Sequence, residues 1–222
     1  INLGNSVPKQ IRECTVNIEK ESKYQKLFNI DHLPDDIFVS PGTKAPNRMG
    51  FSKYASYINS ITEQKYGRPL ILAMSADLSD STNISGFAKG YGGVRDKGFY
   101  EKKSNTKSPL FPQGITEFTN AGMMAGAATV NFSAKPYESF SGFYGAVSTY
   151  GSFSYLKYGP LRLFSQLAQD SELKVGKIIW VVGHSGPETA EDSRTHYGIF
   201  APGVTQLFPN GSIINIHPWD CL

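Results

Sequence analysis

Three short apolar runs punctuate an otherwise mixed chain: Leu70-Ile71-Leu72-Ala73-Met74, Ile178-Ile179-Trp180-Val181-Val182 and Ile213-Ile214-Asn215-Ile216. Their residues do not alternate between apolar and polar, the pattern of strands covered on both faces. Elsewhere apolar positions recur at helical spacing. The segment FSKYASYINSITEQ, from Phe51, sets Tyr54, Ile58 and Ile61 on one face. Phe118 to Val130 is crowded with Ala and Gly, and roughly Ser154 to Ala168 repeats Leu156, Leu163, Phe164 and Leu167. Strands alternating with helices predict an α/β fold, a three-layer domain with a mostly parallel sheet flanked by helices. Ligands in such sheets sit at the carboxyl ends of the strands, so the informative residues should follow each apolar run. The stretch 1–46 is polar, with DHLPDD and SPG turn signals. It reads as a linker or wrapping segment outside the core, ahead of one domain over 47–222.

Composition narrows the function without naming it. With 222 residues, 40% of them hydrophobic, the chain is long enough to bury a core without disulfides or a structural metal. A net charge of +3 and a densest cationic group of only Lys102, Lys103 and Lys107 argue against nucleic acid as a partner. No apolar run approaches the roughly 20 residues of a membrane helix. The polar start INLGNSVPKQ has no signal-peptide pattern, and its lack of a Met suggests a piece of something longer. Cys14 and Cys221 stand near opposite ends and form no CxxC pair, so free thiols and a cytoplasmic location are expected. Metal-ligand spacing of the HExxH or paired Cys/His kind is missing, and no metal site is assigned.

The residues that follow the runs carry chemistry. Behind the first lies Ser75-Ala76-Asp77-Leu78-Ser79-Asp80-Ser81. Behind the second lie Gly183-His184-Ser185-Gly186 and then Glu191-Asp192-Ser193-Arg194-Thr195-His196. Gly114-Ile115-Thr116-Glu117-Phe118 precedes the small-residue helix, and His217-Pro218-Trp219-Asp220 follows the third run. Each has a purely structural reading. Asp77 and Asp80 suit turns or caps, Glu117 complements the positive end of a helix, and His184 and His196 suit a solvated surface.

In this order, however, the segments resemble the transketolase family from roughly Ser40 to Asp220. GITEF resembles its Gly-x-x-Glu-Phe helix opening, SADLSDS its Ser-Ala-Asp-Leu turn, and HSGPETAEDSRTH its His…Glu-Asp-x-x-Thr-His loop. The resemblance implies the central, pyrimidine-binding domain of an enzyme that uses thiamine diphosphate. Glu117 then matches the glutamate that hydrogen-bonds the aminopyrimidine ring and favours the tautomer able to deprotonate the thiazolium carbon. That role asks for a carboxyl able to share a proton near neutral pH, which partial burial beside Ile115 and Phe118 would promote. Tyr150 and Phe153 match aromatic residues that stack on the pyrimidine, and Asp77 and Leu78 match a turn beside the cofactor. Ser81 and His184 match residues that touch a sugar-phosphate substrate. Asp192 and His196 match residues that read its hydroxyls, His196 also assisting proton transfer.

Several positions depart from the family. Ser193-Arg194 replaces Gly-Pro, Ser185 replaces Asp, Leu156 replaces a tyrosine, and Thr43 aligns with a phosphate-binding arginine of the family. Arg194 is the candidate to supply the missing cation. The family's Gly-Asp-Gly segment, which with Mg²⁺ holds the diphosphate, does not occur in the sequence. The implied partner is a diphosphate-binding domain of the same or another subunit, within a homodimer whose interface lies near the Ala/Gly-rich helix. The chain alone is expected to be inactive, and the implied reaction is two-carbon ketol transfer between sugar phosphates. Two other readings stay open. One is a non-catalytic assembly or regulatory module of the same fold. The other is a serine hydrolase with Ser185 as nucleophile, Asp192 or Asp220 as acid and His196 or His217 as base, suggested by GHSG after a buried strand. Pro187, where that elbow needs Gly, weakens it.

Overall fold

Four parallel strands, β1 (Ile71–Ser75), β2 (Leu110–Phe111), β3 (Tyr144–Tyr150) and β4 (Ile178–Gly183), form a sheet in the order β2-β1-β3-β4. The computed structural model describes residues 29–92, 98–184, 196 and 201–218. Helix α1 (Arg48–Tyr66) precedes β1, α2 (Glu117–Thr129) precedes β3, and α3 (Tyr158–Asp170) joins β3 to β4. The period of two along β1 divides the core in two. Ile71 and Ala73 face Ala55 and Ile58 of α1 and Ile84 and Phe87 of a 3-10 helix (Ile84–Ala88). Leu72 and Met74 face the other way, toward Ala121 and Met124 of α2 and Leu161 of α3. Helices thus cover both faces, and the domain is the three-layer α/β fold with a parallel sheet.

Two backbone positions make this packing possible. Gly67 ends α1 in the left-handed region, at φ 69°, and its N–H reaches the Glu63 carbonyl at 2.9 Å. Gly145 in β3 lies directly under Met124, so a Cβ there would collide with that side chain. Without it α2 could not settle onto the central strand. Asn59 ties α1 to the sheet. Its side chain is fully buried, with Oδ1 accepting from the N–H groups of Leu70 (3.1 Å) and Ile71 (2.8 Å). Its Nδ2 donates to the carbonyls of Ile71 (3.0 Å) and Phe87 (3.2 Å).

The structure corrects the sequence reading in four places. Ile213–Ile216 is not a strand; Ile214 and Ile216 are 85% and 78% exposed, and the sheet takes its other two members, β2 and β3, elsewhere. β2 is only two residues long, and β3, Tyr-Gly-Ala-Val-Ser-Thr-Tyr, is too poor in large apolar residues to stand out. The helix foreseen over roughly 154–168 begins as a 3-10 helix (Gly151–Lys157) and becomes α-helical only at Tyr158. Its buried positions are Ser154, Lys157, Pro160, Leu161 and Ser165, whereas Leu156, Leu163 and Leu167 point outward. Finally, part of the segment before residue 47 belongs to the core. Ile37 and Val39 are buried, and Lys53 Nζ holds the Phe38 carbonyl at 2.9 Å.

Candidate functional site

The carboxyl ends of β1, β3 and β4 lie along one edge of the sheet, because all strands run the same way and Ser75 pairs with Ser148 while Tyr150 pairs with Gly183. Hydroxyls crowd this edge. Thr82 Oγ1 donates to the Leu78 carbonyl at 2.7 Å and bonds Ser148 Oγ at 2.8 Å. Ser75 Oγ accepts from the Leu78 N–H at 3.2 Å. These bonds fold the chain sharply after β1 and put Asp77 at φ 59°, in the left-handed region that disfavours side chains other than Asn, Asp and Gly. Asp77 is exposed there, with Leu78 and Ser81 half-buried beside it.

Glu117 opens α2 and is only 4% exposed, an unusual place for a carboxyl. Its position at the first turn sets it against the positive end of a 13-residue helix. Thr149 of β3, itself fully buried, donates from Oγ1 to Glu117 Oε1 at 2.9 Å. The other carboxyl oxygen makes no hydrogen bond among the described residues and is not sealed from the surface. It is therefore the oxygen available to a ligand. The apolar surroundings foreseen for this glutamate are not there, since Ile115 and Phe118 are 77% and 63% exposed. The backbone turns both of them outward, and β3 with the 3-10 helix 151–157 buries the carboxyl instead.

An aromatic cluster adjoins Thr149. The Tyr150 ring stacks on His184, with centroids 4.1 Å apart and planes 22° from parallel. His196 stands edge-on to both Tyr150 (5.5 Å) and Phe153 (5.3 Å). His184 holds φ 49° at the exit of β4, a left-handed conformation that turns its ring back over the strand ends. The structure thus gathers Glu117, Tyr150, Phe153, His184 and His196 at one end of β3 and β4, with Asp77, Leu78 and Ser81 at the end of neighbouring β1. Ser185, Asp192, Ser193, Arg194 and Asp220 lie outside the described residues. Leu156 is exposed, and so is Thr43.

Sequence reasoning missed two residues here. Thr149 was hidden inside an unrecognised strand. Lys157 is completely buried, with its Nζ on the Val147 carbonyl at 3.0 Å. A signal for it existed, because Ser154, Lys157, Leu161 and Ser165 repeat at helical spacing, but a face with a lysine in it does not read as buried. Among the described residues no group of three or more His, Cys, Asp or Glu is placed to hold a metal ion, and no helix is long and apolar enough to cross a membrane.

The family model described as "Transketolase, pyrimidine binding domain" matches residues 56–218. That span holds all four strands, all the site residues named above except Thr43 and Asp220, and most of α1. No curated protein and no solved structure matches the chain.

Proposed function

This chain belongs to the family of transketolase pyrimidine-binding domains, and as such is a domain of a thiamine-diphosphate enzyme; from that membership we propose that its parent enzyme transfers two-carbon ketol units between sugar phosphates. The observation that carries the proposal is Glu117: a buried carboxyl at the start of a helix, one oxygen fixed by Thr149 and the other open. These residues fit an aminopyrimidine. A flat heteroaromatic ring with polar nitrogens needs one aimed hydrogen-bonding group and an aromatic wall, and Glu117 with Phe153 and Tyr150 supplies both. When bound, thiamine diphosphate supplies the carbanion chemistry.

The protein's own part is positional. Glu117 holds or accepts a proton at Oε2 opposite a ring nitrogen, while Thr149 fixes the carboxyl by its other oxygen. Phe153 and Tyr150 would hold the ring by stacking, with Asp77 and Leu78 in the turn beside the cofactor. His196 moves a proton on the substrate, with Asp192 reading its hydroxyls, and Ser81, His184 and Arg194 hold its phosphate. Domains of this family pair with a diphosphate-binding domain. In this proposal that partner, encoded in the same or another subunit, carries the Mg²⁺ and the diphosphate. The uncovered apolar face of α2 and α3, with Gly122, Ala125, Gly126, Leu163 and Leu167, faces such a neighbour within a homodimer. A cytoplasmic location completes the reading.

Calorimetric titration of thiamine diphosphate with Mg²⁺ tests it. Binding to residues 1–222 alone is expected to be weak or undetectable, and binding after joining to the diphosphate-binding partner tight. Failure of the joined form to bind would sink the enzyme reading and leave a non-catalytic module of the same fold. For the substrate, Arg194→Met in the joined enzyme is expected to weaken affinity for a phosphorylated sugar by about tenfold, the worth of one charge-assisted contact. Unchanged affinity rules Arg194 out.

A further inference from the structure

Lys157 is among the largest side chains that are completely buried, yet neither the family resemblance nor the chemistry proposed for the site assigns it any task. It closes the 3-10 helix Gly151–Lys157, and its Nζ meets one acceptor, the Val147 carbonyl at 3.0 Å. An ammonium carries three N–H donors, so one carbonyl is poor compensation for complete loss of water. Burial accordingly drives the lysine's pKa well below its ordinary value, and the negative charge of Glu117 acts in the opposite direction.

The ionisable groups around it are few. Its own 3-10 helix offers the exposed Tyr155, with His196 edge-on to Phe153; helix α2 offers only Glu117; β4 and the 3-10 helix Ala201–Leu207 offer none; β3 offers Tyr144 and Tyr150; and α3 offers Tyr158, Arg162 and Asp170. Glu117 is the one whose negative charge favours the charged form of Lys157. Glu117 is under-compensated as well, having a single hydroxyl donor, Thr149, for a carboxyl almost without solvent. The two partners are anchored to one strand at Val147 and Thr149, two residues apart, so β3 holds both groups in place.

We propose that Lys157 is a positioning residue, the buried counter-charge that keeps the Glu117 carboxylate turned into the site and ready to meet a ring nitrogen. A carboxylate without such a partner would leave for water or take up a proton, and a lysine without the carboxylate would shed its charge. The proposal rests on the reading of Glu117 as the group that faces the aminopyrimidine. Its test, by contrast, needs no cofactor and reports on the pair alone.

The test is a double-mutant cycle on the full chain, with Lys157→Gln, Glu117→Gln and the double variant unfolded by urea at neutral pH. Gln at 157 retains an N–H donor for the Val147 carbonyl while removing the charge. If the two groups are counter-charges, each single variant strands one of them. The double variant's folding equilibrium constant should then exceed the product of the two single effects by at least about tenfold, within the range of direct couplings. Additive effects would overturn the proposal and leave Lys157 as a prop for Val147. Should Lys157→Gln fail to fold, Lys157→Met with and without Glu117→Gln decides the matter. Rescue of folding by Glu117→Gln supports the pair, and no rescue overturns it. Cofactor titration of the joined enzyme speaks separately to the role of Glu117, so failure of that role and failure of the pair are told apart.

Discussion

Glu117→Gln is expected to abolish most turnover in the complete enzyme, by about 10²–10⁴-fold, the usual worth of a positioned proton-sharing group. The substitution changes almost no volume, and the amide oxygen can still accept from Thr149 Oγ1, now 2.9 Å from Glu117 Oε1. What it removes is the ability of the second oxygen to share a proton with a ring nitrogen. Cofactor affinity should therefore fall far less than turnover, because the proposed stacking on Phe153 and Tyr150 and the proposed grip of a partner domain on the diphosphate would remain. Turnover at saturating thiamine diphosphate, with far-ultraviolet circular dichroism as a control for folding, measures this. Turnover near that of the wild type would mean that Glu117 complements its helix and does nothing more.

Asn59→Ala is expected to cost the fold about 3–5 kcal/mol, a large part of a typical domain's stability. The Asn59 amide makes four bonds, to Leu70 N, Ile71 N, Ile71 O and Phe87 O, all in the interior. Alanine removes every one of them and supplies nothing in return. A buried backbone group left without a partner costs about 1–3 kcal/mol, and some relaxation or entry of water keeps the total below the sum. Asn59→Asp should be nearly as damaging, since it keeps the acceptor but loses both donors and buries a charge. A shift of the urea midpoint at unchanged m-value checks the size of the effect. Stability within about 1 kcal/mol of the wild type would show that the contact between α1 and β1 tolerates loss of this bridge.

The two residues differ in how they could be found. Glu117 was legible because it stands in a short motif at the start of a helix, and the sequence order of such motifs survives whatever the surrounding packing does. The first helix was legible too, its Ile58 buried and its Tyr54 and Ile61 packed against the core. Asn59, next to Ile58 on that helix, was not. An asparagine in a helix reads as a surface residue until the carbonyls and N–H groups that it meets are in place around it.

The chain's own pattern determined the fold class, the two large apolar strands and the residues that follow them. Runs of large apolar side chains mark β1, with five buried residues in a row, and β4, which is only half-buried at the edge of the sheet. Tertiary structure decided what a pattern cannot encode. β3 is central because small residues let the layers approach: Gly145 leaves room for Met124 of α2 on one face, and Ala146 packs into the α1 cluster on the other. The same approach puts Thr149 under Glu117. Ile213–Ile216 has the composition of a strand and lacks the place of one. On α3 the apolar side faces out, while Lys157, in the turn before it, is enclosed. Periodicity marks which positions share a face, but only the neighbours that arrive from distant parts of the chain determine which face is covered.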